Sequence, residues 1–163
     1  MKRMTFFLML FLASYGLQAQ NNTFLGNNTG NSITTGANNT FLGANSGRFN
    51  TTGDNNAFVG KQAGYSNTTG AQNSFFGVNS GLANTTGIYN TFIGTSSGRF
   101  TTTGDNNVFV GKQAGYTNNT GSANSFFGVA TGFANTTGTN NTFIGQASGR
   151  FNITGGNNTY VGF

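Results

Sequence analysis

The sequence predicts an all-β chain, a parallel β-solenoid or β-roll of about eight 17-residue coils, and three observations carry that expectation. A 17-residue unit recurs from Asn21 with no insertion or deletion. Each unit holds one short β-prone run that ends in Gly. Gly then returns at fixed places in every unit, where a tight corner needs a positive φ or a close backbone approach.

The period is plain in the letters. From Asn21 the chain reads NNTFLGNNTGNSITTGA, NNTFLGANSGRFNTTGD and NNAFVGKQAGYSNTTGA. It continues in step from residues 72, 89, 106, 123 and 140, and a ninth copy breaks off in NNTYVGF. A period without slippage means that each copy occupies an equivalent structural unit. Counting positions from Asn21, the second is always Asn and the fourth is Phe in every full copy. These columns run Asn39 and Phe41, Asn56 and Phe58, Asn73 and Phe75, Asn90 and Phe92, Asn107 and Phe109, Asn124 and Phe126, Asn141 and Phe143. The fifth position is Leu, Val, Ile or Phe, and Gly fills the sixth, tenth and sixteenth.

Positions two to five therefore read as a strand, and the Thr-rich positions thirteen to fifteen as a second, weaker one. Helix is disfavoured by three Gly per unit among abundant Asn and Thr. Stacked hairpins are disfavoured because Asn-Gly, the favoured two-residue hairpin turn, never occurs in this Asn- and Gly-rich chain. In a parallel stack, equivalent residues lie about 4.8 Å apart, so the Asn and Phe columns are expected to form structural ladders through the interior.

Adjacent strand residues point to opposite faces, yet positions four and five are both apolar in every copy. One face is the coil interior, and the other calls for a second surface. Two large apolar residues per 17 make a thin core, so the expected partner is the protein itself, as a lateral homo-oligomer such as a trimer or as an end-to-end filament. The filament route follows from coils that carry no polar capping unit, leaving open strand edges.

Residues 1–19 read as a signal peptide: Lys2 and Arg3 precede an apolar run from Met4 to Ala13, and the stretch from Ser14 to Ala19 then turns small and polar. The run is too short to span a bilayer. The expected product is a single repeat domain, 20–163, secreted or held at the cell surface, with no membrane span after cleavage. Removing Lys2 and Arg3 takes the formal charge from +5 to +3.

The remaining chain holds no Cys, His, Trp, Pro or Glu. General acid–base catalysis needs positioned titratable groups, and the carboxylates are only Asp54 and Asp105, at the same position three coils apart. That separation, about 14 Å at β spacing, exceeds the roughly 5–9.5 Å of a glycosidase pair. No cluster has zinc-ligand spacing, no Lys-Ser/Thr follows a Gly to make a phosphate loop, and the scattered cations make no basic stripe for nucleic acid. The expectation is a non-enzymatic protein with no cofactor, no metal and no nucleic-acid partner.

The copies also fall into triplets. GRF recurs from residues 47, 98 and 149, GKQAGY from 60 and 111, and FFGV from 75 and 126, a 51-residue superperiod. Column eleven holds Arg48, Tyr65, Arg99, Tyr116, Phe133 and Arg150. A strip of cations and aromatics one coil apart suits cation–π stacking, and these six are the surface-contact candidates, with an intramolecular ladder as the competing reading.

The motif N-N-T-F-Φ-G-x-x-S-G-x-x-x-T-T-G, with Φ apolar, resembles the head repeats of trimeric autotransporter adhesins. That resemblance implies a parallel β-roll that trimerises and an adhesive role. The plan of a leader followed by Asn/Gly-rich β-repeats is more loosely similar to curli-type fibre subunits. The functional expectation is a self-assembling structural or adhesive element of a cell surface, matrix or fibre. One alternative is a glycan- or surface-binding adhesin head. Another is an ice-binding protein, whose column would be Thr35, Thr52, Thr69, Thr86, Thr103, Thr120, Thr137 and Thr154.

Overall fold

The computed structural model describes residues 21–163. The expected leader at 1–19 lies outside the described residues. The chain is a parallel β-solenoid, all-β and wound in 17-residue coils. Its strands are β1 (Thr23–Leu25), β2 (Thr40–Leu42), β3 (Ala57–Val59), β4 (Ser74–Phe76), β5 (Thr91–Ile93), β6 (Val108–Val110), β7 (Ser125–Phe127), β8 (Thr142–Ile144) and β9 (Thr159–Val161). They form one nine-stranded sheet in sequence order, every neighbour parallel and every residue paired with its equivalent 17 positions on, as Phe75 with Phe92. Among the described residues, no helix is long and apolar enough to cross a membrane.

Because side chains alternate along a strand, the fourth position points inward and the third and fifth outward. The seven Phe from Phe41 to Phe143 are fully buried. Their rings stack with centroids 4.8 Å apart and planes nearly parallel, as Phe75 on Phe92 and Phe92 on Phe109. The ring spacing equals the strand spacing, so backbone pairing and ring packing are satisfied by the same rise. Gly at position ten makes room for this column: Gly98 has φ of 55°, and a Cβ there would run into the Phe92 ring.

Much of the remaining interior is polar. Each second-position Asn closes its own coil and bonds to the next. Asn90 Nδ2 donates to the Gly104 carbonyl at 2.8 Å, and Asn90 Oδ1 accepts from the Asn107 backbone N–H at 3.0 Å. The bond between successive Asn is thus carried mainly by side chain to backbone. Direct amide-to-amide bonds also occur, as Asn124 Nδ2 to Asn107 Oδ1 at 3.2 Å.

Positions thirteen to fifteen are not a strand, which corrects the sequence expectation: each coil has one strand only. The reason lies in the hydrogen bonding. The backbone N–H groups of Thr34, Thr35 and Gly36 converge on the single carbonyl of Thr51, at 2.9, 3.4 and 3.2 Å, so the segment bends instead of running extended. The thirteenth-position Asn turns inward and bonds three residues ahead, as Asn67 Nδ2 to Gly70 O at 2.9 Å, which is the local bonding Asn favours in turns.

Those residues form a second buried Asn column. Asn84 Nδ2 donates to Asn67 Oδ1 at 2.6 Å, and Asn135 Nδ2 to Asn118 Oδ1 at 2.7 Å. The column is interrupted at Thr101, and there Asn84 Oδ1 and Thr101 Oγ1 are buried with no hydrogen-bond partner. An unsatisfied buried polar group costs about 1–3 kcal/mol. Thr101→Asn is therefore expected to stabilise the protein by about 1–2 kcal/mol, measured as a higher urea midpoint. A lower midpoint would mean that the column does not tolerate its own consensus.

A third inward column stands at position nine. Ser97 Oγ donates to the Phe109 carbonyl of the next coil at 3.0 Å, and Ser46 Oγ does the same to Phe58 at 2.9 Å. Ala63 and Ala114 occupy this place in two coils and are fully buried. Only small side chains fit beneath the Phe rings.

Candidate functional surfaces

Positions eleven and twelve lie on one flank, just after the Gly that admits the Phe ring. Arg48 places its guanidinium 5.4 Å from the ring centroid of Phe49 and 6.0 Å from that of Tyr65. Phe49 and Tyr65 meet edge to face at 5.0 Å. Three coils on, Arg99 repeats this over Phe100 and Tyr116, at 5.3 and 6.0 Å. Arg150 lies 5.4 Å from Phe133 and 5.7 Å from Phe151. The structure thus brings all six candidates of column eleven onto one flank as Arg–aromatic clusters.

The orientation of the rings limits what the flank offers a ligand. Tyr116 and Phe133 stack face to face at 4.8 Å with planes 5° apart. Their planes lie across the solenoid axis, so ring edges rather than faces meet solvent. The exposed aromatic surface belongs to position twelve, to Phe49, Phe100 and Phe151, which recur every third coil. The recurring GRF triplet was the signal for them in the sequence.

The Thr-rich corner also divides by position. Fourteenth-position hydroxyls are engaged between coils, as Thr51 Oγ1 to Thr68 O at 3.0 Å and Thr68 Oγ1 to Thr85 O at 3.0 Å. The fifteenth-position residues, Thr35 through Thr154, are all exposed. They make a single-file column.

The outer face of the sheet is different. Its fifth-position residues form an unbroken apolar column from Leu25 to Val161. Their outer parts remain uncovered even in the middle of the stack: Phe76 and Phe127 are 41% exposed, Ile93 42% and Ile144 44%. Val78 and Val129, at position seven beyond the Gly corner, extend the apolar surface at β4 and β7. A continuous apolar strip on a regular sheet face is uncommon on a surface that stays in water.

Among the described residues, no group of three or more His, Cys, Asp or Glu is placed to hold a metal ion. Asp54 and Asp105 each accept a backbone N–H from the preceding coil, from Ala37 at 2.7 Å and from Ile88 at 2.8 Å. No family model, no curated protein and no solved structure matches this chain.

Proposed function

We propose that the protein is a non-enzymatic structural or adhesive element, exported and assembled from copies of itself through the outer face of its sheet. The observation that carries this reading is the unbroken apolar column of position five. Burying such surface is the main favourable term in association, and among the described residues this is the exposed column that is apolar in every coil. The sheet is also rigidly spaced, so an associating face loses little conformational freedom when it docks. The Arg–aromatic flank lies apart from that face and stays available for contact with other surfaces. Export rests on the leader expected at 1–19, and the adhesive role on the head-repeat resemblance.

The test replaces Leu42, Val59 and Ile93 together by Lys. All three point outward, so the expected product keeps its β circular dichroism but sediments as a monomer, whereas the unmodified chain without residues 1–19 sediments as an oligomer. An unmodified chain that stays monomeric at high concentration sinks the reading.

A further inference from the structure

Of the seven charged side chains in 21–163, four bracket two strands. Asp54 lies ahead of β3 and Lys61 follows it; Asp105 lies ahead of β6 and Lys112 follows it. In every other full coil both bracketing positions are neutral, as Ala71 and Val78 around β4. The three Arg stand on the flank at position eleven instead. The charges flanking these strands therefore form two rungs, acidic at the strand's beginning and basic beyond its end, three coils apart. Three coils at the 4.8 Å ring spacing come to about 14 Å.

We propose that the partner on the outer face is a second copy of this chain, related by a two-fold axis parallel to the solenoid axis. This deepens the self-assembly reading above and rests on it. Rotation about that axis keeps each coil level with its equivalent and reverses the strand direction. Asp54 then meets Lys61 of the partner copy, Lys61 meets its Asp54, and Asp105 and Lys112 pair likewise. A two-fold axis along the strands would reverse the coil order and set the acidic ends against each other. The charges thus select the parallel arrangement and its register, because a slip of one coil breaks all four pairs together. Charge patterns of this kind set orientation and register more than raw affinity.

The apolar strip alone makes a small interface. The apolar strip is about 38 Å long, eight ring spacings of 4.8 Å, and about 10 Å wide for a three-residue strand. That footprint alone is small beside the roughly 800 Å² per partner of a standard interface. A stable pair has to recruit the positions at both ends of the strand, where the charges lie. The size pattern along the column, Val59, Phe76, Ile93, Val110, Phe127 and Ile144, repeats every three coils in step with them.

Two measurements on the chain without residues 1–19 test this. The first is sedimentation of the charge-reversed variants Asp54→Lys with Asp105→Lys, and Lys61→Asp with Lys112→Asp. Replacing the Asp removes the bonds from the Ala37 and Ile88 N–H groups, but other coils fold with Ala71 or Thr139 at the same place, so both variants are expected to keep their β signal. Each alone should self-associate about ten- to a hundredfold more weakly, and an equimolar mixture of the two should recover pairing. The second uses the absence of Cys. A Thr40→Cys chain should cross-link to a Leu42→Cys chain, because parallel axes keep each coil level while the reversed strand direction sets Thr40 opposite Leu42. Antiparallel axes would instead set Leu42 opposite Ile144, so a Leu42→Cys cross-link formed only with an Ile144→Cys chain overturns the proposal. So does the mass of a trimer, or association that is indifferent to charge reversal; either of those leaves self-assembly itself standing. A wild-type monomer removes both.

Discussion

Phe92→Ala is expected to destabilise the protein by about 3–5 kcal/mol, the upper range for truncating a core aromatic. Phe92 is fully buried, with Phe75 and Phe109 stacked on its two faces at 4.8 Å. In most cores neighbours move to fill part of such a hole. Here they cannot, because each is tied to its own coil and the coil spacing is fixed by paired backbone on both sides. Gly98 supplies no side chain to fill the space. The cavity therefore persists, and its surface is charged in full against stability. Thr95→Ala, at an exposed position in the same coil, is expected to change stability by less than about 0.5 kcal/mol. Urea unfolding of both variants separates them. Equal, small shifts would mean that the ring column is not the core.

Asn90→Ala should cost about 3 kcal/mol or more, although the side chain it removes is small and polar. The amide ties its own coil to the next one. It donates to Gly104 O, and its oxygen accepts from both Asn107 N–H and Asn107 Nδ2, at 2.8, 3.0 and 3.1 Å. Alanine leaves the Gly104 carbonyl and the Asn107 backbone N–H buried without partners, each costing about 1–3 kcal/mol, while Asn107 Nδ2 keeps its bond to Gly121 O. Because coils contact only their neighbours, the defect also uncouples the stack on either side of it. The measurable signs are a lower thermal midpoint, a broader transition, and rapid amide exchange at Asn107 while distant coils stay protected. Retained protection at Asn107 would show that the Asn column is dispensable.

The strand was legible in the sequence because two constraints coincide at it. Asn at position two and Phe at position four admit no substitute among the eight full copies, and the 17-residue step fixes their parallel register. The bend at positions thirteen to fifteen was not legible. Its N-T-T composition suits a strand, and only the convergence of three N–H groups on one carbonyl shows otherwise. The left-handed backbone at positions one and eight was hidden for another reason. Asn55 and Asn45 adopt φ of 56° and 59° as Asn readily does, but Tyr89, Ser96, Ala123 and Ala130 adopt nearly the same values. The neighbouring coils impose the conformation, so the residue type there carries little signal. The flank was half legible. Column eleven stood out by its cations, whereas the exposed Phe49, Phe100 and Phe151 were visible only as part of a triplet motif.

Identical register between all coils turns this molecule into a ruler whose graduations are set by genetics. Each coil meets its neighbour through the same Asn, Phe and small-residue contacts, so gaining or losing one whole 17-residue copy by recombination changes length by one 4.8 Å step and leaves every junction matched. A change that is not a multiple of 17 residues would leave one coil of a length that its neighbours do not match. Recombination in blocks of 51 residues does more, since it also carries the Asp, Lys and Arg positions forward in phase. A lineage can therefore lengthen or shorten this protein in steps of about 14 Å without redesigning either its interior or its faces.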